Sequence, residues 1–420
     1  MKQISHKQKG YRRKLESLIR VPEPNMDVRR TVRRILSDVR DGGDRALVEI
    51  SNKFSPHQIT RVSLQLKGRV PQPSAKVKQA IRLAMKNVEQ FHKGQTPKGW
   101  MGKNTQGGRV GERYDPYKRA GIYVPGGTAP LVSTALMTVT LARVAGVKEI
   151  VACSPAPIDP VLWYAIKQAG ATEIYQIGGA QAIAAMAYGT STIQSVDMIA
   201  GPGNAYVVEA KRQVFGVVGI DLLPGPSEIA VLADSSARPE CVAADLLAQA
   251  EHGPGSQIYL VTPDQRVLDK VVKCIDDQME SLERQQYLKE TLNLGCFLIH
   301  VPSIKAGIEL VESIAPEHAS INCRGASKIA KSIRNCGGVF IGNYSPVAVG
   351  DYAAGPSHTL PTGGAARAFS GLNISQFFRR TSIVQFDRAS LGKIRKSVET
   401  LAEVESMGAH QESVAIRFKK

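Results

Sequence analysis

Four short clusters in this chain pair an imidazole with an acid or an amide. They are Gln249-x-x-His252, Glu317-His318, Asp351-x6-His358 and Glu405-x4-His410. Nitrogen and oxygen donors of this kind suit a zinc ion, and a spare carboxylate and imidazole suit proton transfer. The chemistry they suggest is that of a metal-assisted enzyme. Gln249 and His252 stand three apart at the end of an expected helix that Gly253-Pro254-Gly255 stops, so both project from its C-terminal end. Asp351 could add an anionic oxygen and His410 a second imidazole, with His358 a further ligand or substrate contact. Two histidines, one aspartate and one glutamine would leave zinc with positions open for substrate. Glu317 and His318 follow Pro316, which predicts a loop at a sheet edge. There a carboxylate can activate water while an imidazole takes a proton from an alcohol. Singly, each cluster reads equally as a surface or capping group; only convergence in space makes them a site. His6 and His57 in polar stretches, His92 on a charged helix and His300 in an apolar strand read as surface or core residues.

These side chains depend on elements that repeat from about residue 120. Val147 to Ser154 reads as a buried strand. Asp159-Pro160 then caps and starts a helix that Gly170 closes. Glu173 to Ile177 leads into Gly178-Gly179 and the helix Ala180 to Tyr188, and Val196 to Ala200 leads into Gly201-Pro202-Gly203-Asn204 and a helix through Gln213. After residue 228 the pattern restarts, with strands at Ile229 to Ala233, Ile258 to Thr262, Cys296 to Val301 and Gly338 to Ile341. Helices are expected around 240–251, 264–282, 303–314 and 325–333. The alternation predicts an α/β protein of two Rossmann-like lobes with mostly parallel sheets, plus a small helical C-terminal tail. The expected division is 1–122 for N-terminal helices and the first part of lobe 1, and 123–228 for the nucleotide-binding lobe 2. Residues 229–372 complete lobe 1 with the catalytic groups, and 373–420 form the tail. In such sheets ligands gather beyond the carboxyl ends of the strands.

There is no GxGxxG fingerprint. Instead Tyr123-Val124-Pro125-Gly126-Gly127, Gly178-Gly179-Ala180-Gln181 and Gly201-Pro202-Gly203-Asn204 supply glycine turns. The last two each join a strand to a helix, whose N-terminal amides favour phosphate.

The bulk properties exclude several classes. With 420 residues, 43% hydrophobic and 22% charged, the chain is long enough for more than one core and is not a disordered one. No apolar run is long enough to span a membrane, and the polar start lacks the core of a secretory signal, so a cytoplasmic enzyme is expected. Six scattered cysteines, without a Cys-x-x-Cys pair, read as small core residues in a reducing compartment. The net charge of +17 owes much to residues 1–40, which hold twelve Lys/Arg against four Asp/Glu. There Val28, Val32, Ile35, Leu36 and Val39 mark one buried helix face and leave Arg29, Arg30, Arg33 and Arg34 on the solvated side. No nucleic-acid module accompanies the charge, so nucleic acid is not an expected partner.

Longer matching stretches carry a family likeness. They include Gly121-Ile-Tyr-Val-Pro-Gly-Gly-Thr-Ala-Pro130, Ile177-Gly-Gly-Ala-Gln181, Gly201-Pro-Gly-Asn204, Glu209-Ala-Lys-Arg-Gln213 and Gly225-Pro-Ser-Glu228. Ala248-Gln-Ala-Glu-His-Gly-Pro254, Pro316-Glu-His318, Gly350-Asp-Tyr-Ala353 and His358-x-Leu-Pro-Thr362 continue the series. In order and spacing the chain resembles the histidinol dehydrogenase family over nearly its whole length. The resemblance implies zinc-dependent, NAD-linked oxidation of L-histidinol through the aldehyde to L-histidine, the last step of histidine biosynthesis. It implies Gln249, His252, Asp351 and His410 as zinc ligands that also meet the substrate, His318 as the base for the hydroxyl proton and Glu317 as the group activating water. Ser227, His358 and Glu405 would be further substrate contacts, and Tyr123, Gln181 and Asn204 NAD contacts. It also implies a homodimer in which Glu405 and His410 reach the neighbour's site. Three positions depart from the family pattern: Ser406-Met407 within Glu405–His410, Ser357 before His358, and Pro224 before Gly225. None removes a ligand or catalytic group, but a paralogous dehydrogenase of another small polar alcohol, such as sulfopropanediol, is the alternative reading.

Overall fold

Short apolar runs alternating with glycine-closed helices build two parallel sheets and, less expectedly, a third that is antiparallel. The computed structural model describes residues 1–19, 25–55, 57–126 and 129–419. Gly127 and Thr128 of the first glycine turn therefore lie outside the described residues. In chain order the strands begin with β1 (Lys2–Ser5), β2 (Trp100–Lys103), β3 (Arg109–Pro116), β4 (Arg119–Tyr123), β5 (Glu149–Cys153), β6 (Glu173–Tyr175) and β7 (Met198–Ala200). They continue with β8 (Gly219–Ile220), β9 (Glu228–Ala233), β10 (Gln257–Thr262), β11 (Cys296–His300), β12 (His318–Asn322), β13 (Gly338–Ile341) and β14 (Phe378–Gln385).

One parallel sheet runs β6-β5-β4-β7-β8 and the other β1-β11-β10-β9-β12-β13. Both have buried, β-branched interiors, as sheets covered on two faces require. In the first, Asp159 accepts from the amides of Val161 and Leu162 at 2.7 and 3.2 Å. Its helix Pro160–Ala169 ends at a left-handed Gly170, as the spacing predicts. Helix Val132–Ala145 is apolar almost all round because it lies between this sheet and helix Ala75–Lys93. Helix Met26–Phe54 buries Val32, Ile35, Leu36 and Val39 against helices Gly179–Tyr188 and Ala205–Val214, leaving Arg30, Arg33 and Arg34 exposed. Burying side chains of this size contributes about 1.5–3 kcal/mol each, enough to fix that helix on the sheet.

The third sheet, β14-β3-β2, is antiparallel beside the two larger parallel sheets, so the sheets are mostly parallel as expected. Strand β14 pairs with β3 along its full length, from Phe378 opposite Pro116 to Gln385 opposite Arg109. Its residues are mainly exposed, so no apolar alternation announces it. The tail is thus a strand followed by helices Arg388–Val404 and Gly408–Ala415, in which only Ser390, Ala402 and Val414 are buried. A further helix, Gln285–Gly295, fills the stretch between the expected helix near 264–282 and β11. All six cysteines are free thiols, with Cys153 and Cys296 buried as expected. Among the described residues no helix is long and apolar enough to cross a membrane.

Candidate active site

Three of the four histidine clusters meet near the amino ends of β9 and β12. These strands pair in parallel with His318 opposite Ile229, so Ser227, Glu228, Glu317 and His318 share the amino end of two interior strands of the six-stranded sheet. The expected loop position for Glu317-His318 is corrected here. His318 opens β12 between β9 and β13, and both residues are buried. The turn that delivers them is Ala315, left-handed at φ 51° after helix Ile304–Ile314.

Glu317 accepts a hydrogen bond from the Ser227 hydroxyl and another, at 3.0 Å, from the amide of Glu228. Burial still dominates and pushes its pKa up to about 7, against the pull of those two donors. His318 Nδ1 lies 3.0 Å from the Glu228 carbonyl oxygen, an acceptor only, so Nδ1 carries the proton and donates. Its Nε2 is buried without a hydrogen-bond partner among the described residues, and Asp351 Oδ1 is 3.8 Å away. Burial lowers the pKa of His318, while Asp351 and the Glu228 carbonyl oppose that shift. The result is a neutral imidazole with a free lone pair, beside a carboxyl group poised near neutrality. That is a pair of bases.

Gln249 ends helix Pro239–Ala250 buried, and its Nε2 has no hydrogen-bond partner among the described residues. His252, just past the helix, is reachable by solvent. The protein around it and repulsion from His318 lower its pKa, leaving a neutral ring of the kind a metal binds. Asp351 lies on helix Val347–Tyr352, which packs against helix Pro239–Ala250, and burial raises its pKa to about 6. An orphaned amide, a neutral imidazole and a carboxylate held against desolvation are the donor types zinc takes, so these residues fit that ion. His358 is held from both sides. Its Nδ1 donates to the Asp351 carbonyl at 2.9 Å, and its Nε2 lies 3.0 Å from the Thr134 hydroxyl of the other lobe. Burial pushes its pKa down to about 4.

Glu405 and His410 are not brought into this cluster. They stand exposed in the tail, and among the described residues of one chain no group of three or more His, Cys, Asp or Glu can hold a metal ion.

The expected NAD contacts, in contrast, converge at the carboxyl ends of the five-stranded sheet. Tyr123, Gln181 and Asn204 line one cleft of about 400 Å³ together with Gly126, Pro155, Gly178 and Gly179. The Tyr123 hydroxyl accepts from the Gly179 amide at 3.1 Å, and burial raises its pKa to about 12. Gln181 Nε2 reaches Ser51 Oγ at 3.4 Å, and Asn204 Oδ1 caps helix Ala205–Val214 through the amides of Tyr206 and Val207. Two helix N-termini thus open onto the cleft, a favourable setting for a pyrophosphate.

Several contributors carry no sequence signal. Thr134 and the Glu228 backbone matter by where they sit, and a lone threonine in an apolar helix looks like packing. His57, read from the sequence as a surface or core residue, lines the same cleft as Tyr123, Gln181 and Asn204. His92 and His300 are buried, as a core reading allows.

Comparison with known proteins agrees with this geometry. The family model described as histidinol dehydrogenase matches residues 19–418. A histidinol dehydrogenase of Synechococcus sp. is 41% identical over 396 residues, covering 92% of this chain and 91% of that one. Another, of Thermosynechococcus vestitus, is 42% identical over 398 residues, covering 93% and 92%. The crystal structure of histidinol dehydrogenase from Elizabethkingia anophelis superposes with a TM-score of 0.93 at 34% identity, covering 99% and 98%. From its first helices to its tail, the chain belongs to the histidinol dehydrogenase family, whose members are NAD- and zinc-dependent oxidoreductases.

Proposed function

We propose that this chain oxidises L-histidinol through L-histidinal to L-histidine in the cytoplasm, consuming two NAD and one water, with shared active sites in a homodimer. The observation that carries this reading is the buried pair formed by Glu317 and His318, each held by Glu228, with His318 Nε2 3.8 Å from Asp351 Oδ1. The alternative of another small alcohol is not favoured, because relatives about 41–42% identical over more than nine-tenths of the chain bear the histidinol dehydrogenase name.

Gln249, His252 and Asp351 would hold the metal. Bound NAD would supply the hydride acceptor for each oxidation, and zinc would supply orientation of the substrate's amine and imidazole. In the first step His318 Nε2 takes the hydroxyl proton; its Nδ1–H bond to the Glu228 carbonyl fixes the tautomer that makes this possible. In the second, the Glu317 carboxylate takes a proton from water attacking the aldehyde, while Ser227 and the Glu228 amide keep the carboxylate aimed. Ser227 and His358 are substrate contacts within the same chain. Tyr123, Gln181 and Asn204, which line one cleft, would hold NAD.

His410 and Glu405 complete the site from a second copy. What supports this is that the tail exposes Val384, Leu401, Val404, Met407 and Ile416, apolar surface that one chain leaves uncovered. Mixing inactive His252→Asn and His410→Asn chains tests it. In a shared site the hybrid dimer has one intact centre, so random reassortment restores about a quarter of the wild-type turnover. No recovery with proven reassortment would place His410 in its own chain's chemistry or in none.

A further inference from the structure

The turn Gly201–Asn204 is governed by two residues that touch no expected ligand. Lys211 and Asp221 form an ion pair, and both side chains have 0% exposure. Lys211 Nζ donates to the Gly201 carbonyl at 2.9 Å, and Asp221 Oδ2 accepts from the Gly201 amide at 2.8 Å. Both backbone groups of Gly201 are therefore satisfied by one charged pair. The topology explains the meeting. Asp221 follows β8, whose Ile220 lies opposite Ile199, so its carboxylate sits beside the end of β7. Lys211 is seven residues beyond Asn204, on the same face of helix Ala205–Val214, and reaches back toward its N-terminus. Gly201 itself has φ 117°, and a Cβ there would overlap the Tyr123 carbonyl oxygen. The strand end is thus pressed against Tyr123 and clamped from behind.

A fully buried ion pair is a poor source of net stability, because desolvation offsets its attraction. Its effect must be sought in geometry. We propose that Lys211 and Asp221 are positioning residues for NAD: they set the Gly201 turn in its ligand-bound shape before the cofactor arrives, so that Asn204 and the adjoining helix N-terminus face the cleft without reorganisation. This rests on the reading of that cleft as the NAD site. Preorganisation lowers the cost of binding, so its loss shows as weaker NAD binding.

The test uses the zinc-loaded enzyme, with NAD affinity measured by calorimetry and the two KM values measured separately. The single variant Lys211→Met strands a buried carboxylate and is expected to lose stability along with affinity. The double variant Lys211→Met/Asp221→Leu keeps the site apolar and folded. It should bind NAD about tenfold or more weakly, the loss of charge-assisted bonds to the turn, with KM for L-histidinol and zinc content unchanged. A folded double variant with wild-type NAD affinity overturns the proposal. Wild-type enzyme gives an independent reading. The Gly201 amide should exchange slowly with solvent in the absence of NAD, whereas fast exchange that slows only when NAD is added overturns a preset turn. Gln181→Ala separates the two layers of inference. If it leaves NAD affinity unchanged, the cleft is not the NAD site and the clamp's purpose falls with it. If it weakens NAD while the double variant does not, only the clamp falls.

Discussion

The two parallel sheets present opposite ends to the chemistry. The five-stranded sheet offers the carboxyl ends of β4, β6 and β7, where Tyr123, Gly178-Gly179 and Asn204 line the proposed NAD cleft. The six-stranded sheet offers the amino ends of β9 and β12, where Ser227, Glu228, Glu317 and His318 meet. In a right-handed strand–helix–strand unit the helices run back along the sheet. Carboxyl strand ends therefore stand beside helix N-termini, and amino ends beside helix C-termini. The first environment carries partial positive charge and suits the anionic pyrophosphate of NAD; the second carries partial negative charge and suits a cation. Gln249 at the last turn of helix Pro239–Ala250, and Glu317 just beyond helix Ile304–Ile314, occupy that second environment. On the proposed assignment, the general expectation that ligands gather at carboxyl ends would hold for one lobe and be reversed in the other, with the sign of the ligand's charge as the physical reason.

This contrast can be broken or sharpened by changes on either side. The largest effect is expected from Glu317→Gln, which keeps shape and removes the base. Oxidation of L-histidinal should fall by about 10²–10⁴ while L-histidinol oxidation keeps most of its rate, so aldehyde accumulates in single-turnover assays. Equal slowing of both steps would show that Glu317 is not specific to the water step. His252→Asn comes next. Metal analysis should show zinc lost from the catalytic lobe while NAD still binds, and retained zinc would remove His252 from the ligand set. A smaller change is expected from Gln181→Ala on the other lobe, with KM for NAD up about tenfold for one lost polar contact and zinc content untouched. Any loss of zinc there would mean that the two sites are not separable. The mildest expectation concerns pH. Burial holds Glu317 neutral up to about 7, and only its ionised form can take a proton. The aldehyde step should therefore rise as pH increases through 7 and fade below it, and the Glu317→Gln variant should lack that limb. A wild-type profile already flat from pH 5 would contradict the buried-carboxyl assignment.

How much was legible follows from how local each signal is. Strands β5 to β7 and β9 to β11 and their helices are written in contiguous apolar runs closed by glycine, and the structure moves their ends by only a few residues. The helix over Val32, Ile35, Leu36 and Val39 is equally plain. Strand β14 is not, because its partner β3 lies more than 260 residues earlier and neither strand alternates clearly between apolar and polar residues. His318 looks like a loop residue because Pro316-Glu317 precedes it. It starts a strand because β9, with Ile229 opposite it 89 residues earlier, and β13, with Gly338 opposite it 20 residues later, pair on both sides of it. Within the site, Gln249, His252, Glu317, His318 and Asp351 stand out by residue type. Thr134, Lys211 and Asp221 do not, since what they do depends on which backbone or ring they meet.

The amino-acid sequence alone settled much of the inventory: the strands and helices written in contiguous apolar runs, the side chains able to bind a metal or move a proton, and the family motifs present. These are properties of residue type and short-range spacing, where a few neighbours decide the outcome. Tertiary structure decided the rest. It buried Glu317 until its proton is held near neutrality, left His318 Nε2 without a hydrogen-bond partner among the described residues while tying Nδ1 to Glu228, and gathered the two residue groups at one sheet's carboxyl ends and the other's amino ends. Desolvation, hydrogen-bond direction and helix polarity at a point depend on atoms far apart along the chain, and only the folded arrangement brings them together.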